Sequence, residues 1–244
     1  MLVFVFILLT FAISLIGFLG VKRLPGAQSP ETAIGLPCWL IMVWGPTLAA
    51  ILLTTYRGNL SALMSRSFNL SNVPFEIWIL TLAPLVLLVI LLPFGKGKRQ
   101  TISFKMFAAM FALNLVLGPL GEELGWRGFM QFELSPTFGW LISSIIIGVV
   151  WFIWHTPMWM VESPISEISP KYFGLHCIAY SIIIGASFEL SEGSIIPAIL
   201  LHLTINLASN LASFAGFTNP NDWFRVSIIP YFVLAFLIGF YTLN

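Results

Sequence analysis

MLVFVFILLTFAISLIGFLG, residues 1–20, carries no charged side chain and is followed at once by Lys22 and Arg23. At ~1.5 Å per residue, a helix of that length matches the ~30 Å hydrocarbon core of a bilayer. A cleavable signal would put its positive charges first, keep a shorter apolar run and end in a small-residue cleavage site. The order here is the reverse, so the segment is expected to be a retained membrane span. Seven more apolar stretches follow, at 37–55, 76–94, 104–134, 139–161, 172–190, 194–215 and 226–243. Their lengths predict helices, because barrel strands would be ~10 residues long with strict alternation. The expected fold is an all-α integral membrane protein, a bundle of about eight transmembrane helices. No fixed-period repeat or Gly/Ser linker divides it. Residues 1–244 therefore read as one polytopic domain, with the chemistry-bearing motifs in 104–215.

Composition supports this reading. Of the 244 residues, 58% are hydrophobic and 9% charged, against about 25% charged in an ordinary soluble domain. So few charges could not cover a water-soluble globule, and the apolar content is too high for a disordered chain. A net charge of +1 gives no electrostatic footprint for nucleic acid. Cys38 and Cys177 have neither a disulfide-framework spacing nor a metal-ligand spacing, and read as small core residues. In the connection 56–75, Leu60, Leu63, Met64 and Phe68 recur at helical spacing, which predicts a short interfacial helix. Lys22, Arg23, Lys96, Lys98, Arg99 and Lys105 lie in the first and third connections, and Arg57 and Arg66 in the second. That bias predicts both termini on the outer side.

Ionisable groups at membrane depth are costly, about 2.5–3.5 kcal/mol each on insertion scales, and persist where they pair, line a wet cavity or do chemistry. Three clusters stand out. In Gly121-Glu122-Glu123-Leu124-Gly125-Trp126-Arg127-Gly128, Glu123 and Arg127 are i,i+4 neighbours in the favourable orientation. Glu122 points about 100° away from Glu123, leaving one carboxylate tied and one free. In Trp151-Phe152-Ile153-Trp154-His155-Thr156-Pro157, a histidine ends an apolar run, and Pro157 cannot donate to the Ile153 carbonyl. In His202-Leu203-Thr204-Ile205-Asn206, His202 and Asn206 share one helix face, and Asn210 continues it. Taken singly, these could be an interfacial salt bridge, a hydrogen-bonded histidine and interhelical polar contacts. Depth joins them. With a turn at Ser135-Pro136, Glu122 lies roughly 18 Å and His155 roughly 24 Å from it, and His202 and Asn206 lie roughly 12 and 18 Å from Ser194. All four fall near one mid-membrane layer. His176 has no partner at useful spacing and reads as structural; Glu189 and Glu192 flank a short loop and read as solvated.

Glu-Glu-x-x-x-Arg at 122–127, aromatic-x-x-x-His at 151–155 and His-x-x-x-Asn at 202–206 occur in this order on separate helices. The set resembles the CPBP family of CAAX proteases and bacteriocin-processing enzymes, also called the Abi family, which includes the CAAX prenyl endopeptidases. The surrounding Trp-His-Thr-Pro and Gly-Ser-Ile-Ile-Pro-Ala-Ile-Leu-Leu-His resemble its prokaryotic members, which implies a multi-pass protein of the cell membrane. One departure is visible: Trp151 stands where the family usually has Phe. No pocket for a prenylated substrate is legible in the sequence.

The resemblance implies an intramembrane endopeptidase acting on a peptide or membrane-protein substrate. Glu122 and His155 would activate water, His202 and Asn206 would hold the oxyanion, and Glu123 and Arg127 would support the site. Preorganised donors in a low-dielectric cavity stabilise such developing charge strongly. No Gly-x-Ser-x-Gly elbow suggests a serine mechanism. Family members have been described as both glutamic-type and metalloproteases. Glu122, His155 and His202 would make a sound His₂Glu zinc set. Such a site would need another base, and Glu123, ion-paired with Arg127, is a poor one. No His-Glu-x-x-His sequence occurs, so the expectation is no cofactor, with zinc as the alternative. Two other function classes stay open: a proton-coupled transporter, disfavoured by the lack of an inverted repeat, and a catalytically idle binding or immunity protein.

Overall fold

The computed structural model describes residues 1–163 and 165–243. Every regular element among them is helical. In chain order these are α1 (Leu2–Arg23), α2 (Gly35–Val43), α3 (Gly45–Tyr56), α4 (Leu60–Ser67), α5 (Phe75–Leu80), α6 (Ala83–Leu91), α7 (Phe104–Val116), α8 (Pro119–Glu123), a π-helical segment Leu124–Gln131, α9 (Phe132–His155), α10 (Pro170–Leu190), α11 (Ile196–Phe214) and α12 (Pro220–Leu243). Six helical stretches are long and apolar enough to cross a bilayer, or seven with the α2–α3 pair, which bends by 57°. The sequence-based figure of about eight counts the stretch Phe104–Met160 twice. Its 57 residues would reach about 85 Å as one straight helix, nearly three bilayer cores. It folds back on itself instead, since Trp151 touches Glu122 across 29 residues of chain.

The reversal is at Gly139 (φ 74°, ψ 159°), not at Ser135-Pro136. That backbone region is essentially open only to glycine, whereas Pro136 lies within the helical turn before it. The stretch expected as one helix over 104–134 is also broken. α7 ends at Val116, Gly118 adopts φ −160°, ψ −116°, and Pro119 opens α8. A residue before proline is disfavoured in the α region. The carbonyl of Val116 released at the break accepts from Trp44 Nε1 at 2.9 Å. The second expected span breaks likewise at Trp44, where Pro46 begins a new helix. The third breaks at Thr81, whose carbonyl accepts from Thr204 Oγ1 on α11 at 2.6 Å. The carbonyls of Val116 and Thr81 at two of these interruptions are thus satisfied from a neighbouring element, as backbone at membrane depth requires.

The short helix expected in 56–75 is α4, with Leu63 buried. The carbonyl of Ser67 at its end accepts from the Ile195 amide at 2.8 Å, which ties it to the start of α11. α11 is central, packed against α6, α7, α8 and α10, while α10 packs on α9 and α12, and α1 on α2 and α3. Phe6 of α1 stacks on Phe129 (4.9 Å) and meets Trp126 edge-on (5.8 Å). Phe4, Leu8, Val86, Ile229 and Phe236 face outward, as lipid-contacting residues do. Cys38 and Cys177 are free thiols, Cys177 buried.

Candidate active site

Two glycines let the first motif sit deep. A Cβ on Gly121 would lie 2.8 Å from the Trp44 ring, and one on Gly125 would lie 2.4 Å from the backbone of Pro46. Only glycine permits this approach of α8 and the π-helical segment to α3. Glu122 and Glu123 are thereby drawn inside, 4% and 0% exposed.

The two carboxylates part as expected, but neither is free. Arg127 Nη1 lies 3.1 and 3.3 Å from the two Glu123 oxygens, with both residues fully buried. Arg127 Nη2 donates to Ser181 Oγ at 3.2 Å, and Ser181 Oγ donates to the Ser144 carbonyl at 2.7 Å. Glu123 Oε1 also accepts from His202 Nδ1 at 2.6 Å. Glu123 therefore joins the first motif to the third, a link that spacing within one helix could not show. Glu122 Oε2 accepts from Trp151 Nε1 at 2.7 Å and from Trp126 Nε1 at 3.3 Å. The free carboxylate of the sequence reading is thus half-occupied: one oxygen takes two indole donors, and no protein donor is found for Oε1 among the described residues.

His155 ends α9. Its Nδ1 donates to the Trp151 carbonyl at 2.8 Å, which leaves the Nε2 lone pair for other chemistry. The carbonyl of Ile153, expected to be released by Pro157, is taken up locally by the Thr156 amide and by Thr156 Oγ1 at 2.7 Å. His202 is held through Nδ1 by Glu123, and no hydrogen-bond partner of its Nε2 is found among the described residues. Rings connect the motifs: Trp151 lies 5.1 Å from His202 and 5.6 Å from His155, both edge-to-face. Asn206 sits beside the Gly118 break, where a Cβ on the glycine would come within 3.1 Å of its Nδ2. Asn210 leaves this layer and donates to Asn114 on α7 at 2.8 Å.

Glu122, His155, His202 and Asn206 line one cavity of about 960 Å³, with a mouth that includes Glu162, Ser166 and Thr218. A second, mostly apolar chamber of about 290 Å³ meets it at Glu122 and His155 and runs between α1, α2 and the end of α9 past Phe11, Phe18 and Met42. The four residues brought together by depth arithmetic thus face one space. His176 is satisfied elsewhere: Nδ1 donates to the Tyr172 carbonyl (2.8 Å), and Nε2 meets Ser227 Oγ (3.0 Å). Glu192 accepts from Asn72 at 2.5 Å on the surface.

The residues do not fit a metal ion as arranged. Among the described residues, no three His, Cys, Asp or Glu side chains stand where they could share one, and Glu122 Oε2 already accepts two N–H groups.

Comparison with known proteins agrees with the motifs. Residues 104–208 match the family model for the type II CAAX prenyl endopeptidase Rce1-like proteins. The segment holds all three motifs. A curated relative, CAAX prenyl protease 2 of Methanococcus maripaludis, is 29% identical over 155 residues. That alignment takes in 59% of this chain and 57% of the relative, so the chain spans little more than half the length of the curated protein it matches. Over residues 104–208, which hold the three motifs, the chain is similar to the CAAX prenyl endopeptidases, and it is a multi-pass helical membrane protein.

Proposed function

We propose that the chain is a glutamic-type intramembrane endopeptidase of the cell membrane, acting on a membrane-associated or peptide substrate. The observation that carries this reading is the convergence of Glu122, His155, His202 and Asn206 on one cavity from three separate motifs. With a peptide carbonyl in that cavity, Glu122 takes a proton from a water molecule, aided by the Nε2 lone pair of His155. The water oxygen bonds to the carbonyl carbon. The Asn206 amide donates to the oxyanion, joined by Nε2–H of His202 when that ring carries both protons, its Nδ1–H being held by Glu123. The proton held at Glu122 passes to the leaving nitrogen as the C–N bond breaks. Placed donors and acid–base groups are both contributions that a metal-free site can supply.

The apolar chamber beside Glu122 and His155 supports a substrate with an apolar group next to the cut bond. The similarity to CAAX prenyl protease 2 of Methanococcus maripaludis supports the same class. We read residues 1–244 as one domain built around this site. The test is a comparative peptide profile of membranes from cells making the wild type and Glu122→Ala. Cleavage products present only with the wild type are expected. Identical profiles, with a cellular phenotype that survives the substitution, would favour a binding or immunity role instead.

A further inference from the structure

Trp151 occupies the position where the second motif usually carries phenylalanine, and the difference between the two rings is one N–H. That N–H is the shortest donor on Glu122: Trp151 Nε1 lies 2.7 Å from Oε2, and Trp126 Nε1 lies 3.3 Å from the same atom. Both indoles are nearly sealed, Trp126 at 0% and Trp151 at 4% exposure, and their rings are wedged by other aromatic groups. Trp126 meets Trp154 edge-on at 5.9 Å, and Trp154 donates through Nε1 to Ser14 Oγ at 2.9 Å. Trp151 has the Arg127 guanidinium 5.6 Å from its ring centre. Neither indole can swing away without disturbing this packing.

We propose that Trp151, seconded by Trp126, is a positioning residue of the water-activating site, an indole clamp that fixes the Glu122 carboxylate by one oxygen and presents the other to the cavity. A carboxylate has two equivalent oxygens and a torsion that turns freely in water. Two N–H groups on Oε2 remove that freedom and leave Oε1 as the proton acceptor. The clamp also supplies hydrogen bonds that a charged carboxylate needs once water is excluded. The donors on Glu122 are the two indoles and those on Glu123 are Arg127 and His202, so the two carboxylates of the motif are held by separate sets of donors. The inference deepens the peptidase reading and rests on it for its kinetic consequence, but the hydrogen bonds themselves can be read without turnover.

The test has two arms. In the first, a reporter peptide taken from the membrane profile is turned over by purified wild type, Trp151→Phe, Trp126→Phe and Glu122→Gln. One charge-assisted hydrogen bond lost corresponds to roughly 10-fold or more in rate. Trp151→Phe, which keeps an aromatic ring against His155 and His202, is expected to lower kcat by about that factor with KM within about twofold, and Trp126→Phe to lower it less. A ring that served packing alone would instead lower the melting temperature and leave kcat per folded molecule unchanged. In the second arm, ¹⁵N-labelled indole N–H resonances are compared in detergent between wild type and Glu122→Gln, with each tryptophan assigned from its Phe variant. Two of the nine indoles, those of Trp151 and Trp126, are expected to move upfield when the charged acceptor becomes an amide. Unmoved indoles, or a Trp151→Phe enzyme with wild-type kcat beside an inactive Glu122→Gln, would overturn the clamp. A Glu122→Gln protein that still cleaves the peptide would overturn the water-activation reading instead, and the indole shifts would still report on the clamp.

Discussion

Glu122→Gln is expected to abolish peptide hydrolysis while leaving the protein folded. The substitution keeps the shape of the side chain and an oxygen that can accept from the two indoles (2.7 and 3.3 Å), so the packing around Trp126 and Trp151 survives. What it removes is the proton-accepting group. General-base catalysis is worth about 10²- to 10⁴-fold, and in the proposed mechanism the same group both deprotonates the water and returns the proton to the leaving nitrogen, so the loss is expected at the upper end. The check is turnover of purified protein, with melting temperature and gel-filtration profile measured on the same sample. An unfolded variant would say nothing of chemistry, which is why Gln is preferable to Ala for the kinetic measurement.

The second large effect concerns stability. Glu123 and Arg127 are both fully buried and paired, and Glu123 also holds His202. Removing one partner of a buried pair leaves an uncompensated charge, at a cost of about 3–5 kcal/mol, a large part of the roughly 5–15 kcal/mol that holds a typical domain together. Glu123→Ala and Arg127→Ala should each fail to accumulate as folded protein, read as loss of the monodisperse peak after detergent extraction. Replacing both by apolar residues, Glu123→Leu with Arg127→Met, should restore much of the folded fraction, because the desolvation penalty of both charges disappears together. The double variant should still be inactive, since His202 loses the carboxylate that fixes its ring. Recovered folding with recovered turnover would mean that Glu123 serves only Arg127.

Much of this site was legible in the sequence because its residues are anomalous where they stand. An acidic pair, two histidines and an asparagine inside apolar stretches are costly at membrane depth, and rise per residue was enough to place Glu122, His155, His202 and Asn206 in one layer. Helical periodicity also located α4, through Leu60, Leu63 and Met64. Breaks inside spans were less legible. The interruptions at Leu117-Gly118 and at Trp44 follow from local proline chemistry, but a proline in a membrane helix kinks it or ends it depending on whether a neighbour satisfies the released carbonyl. That neighbour is distant in sequence: Trp44 for Val116, and Thr204 for Thr81. The reversal fell at Gly139 and not at Pro136 because only glycine takes the backbone angles of the turn.

The hydrogen bonds that tie one motif to another were out of reach for the same reason. The bond from His202 to Glu123 crosses 79 residues and that from Trp151 to Glu122 crosses 29. Trp126, four residues after Glu122 on the same helical face, could have been found from spacing alone. Trp151 carried a signal of another kind, an indole in place of a phenyl ring. As apolar volume the exchange is small; as a hydrogen-bond donor next to a buried carboxylate it is not.

The Glu122 carboxylate acts as a base in a glutamic-type mechanism and as a ligand in a zinc-dependent one. The deciding measurement is hydrolysis of one membrane-derived peptide by purified protein after exhaustive dialysis against a strong chelator, with zinc content determined on the same sample. The predicted result is substoichiometric zinc and undiminished turnover, with Glu122→Gln inactive under both conditions. Activity lost on chelation and restored by added zinc would contradict it, and would make Glu122, His155 and His202 ligands in an arrangement tighter than the one described.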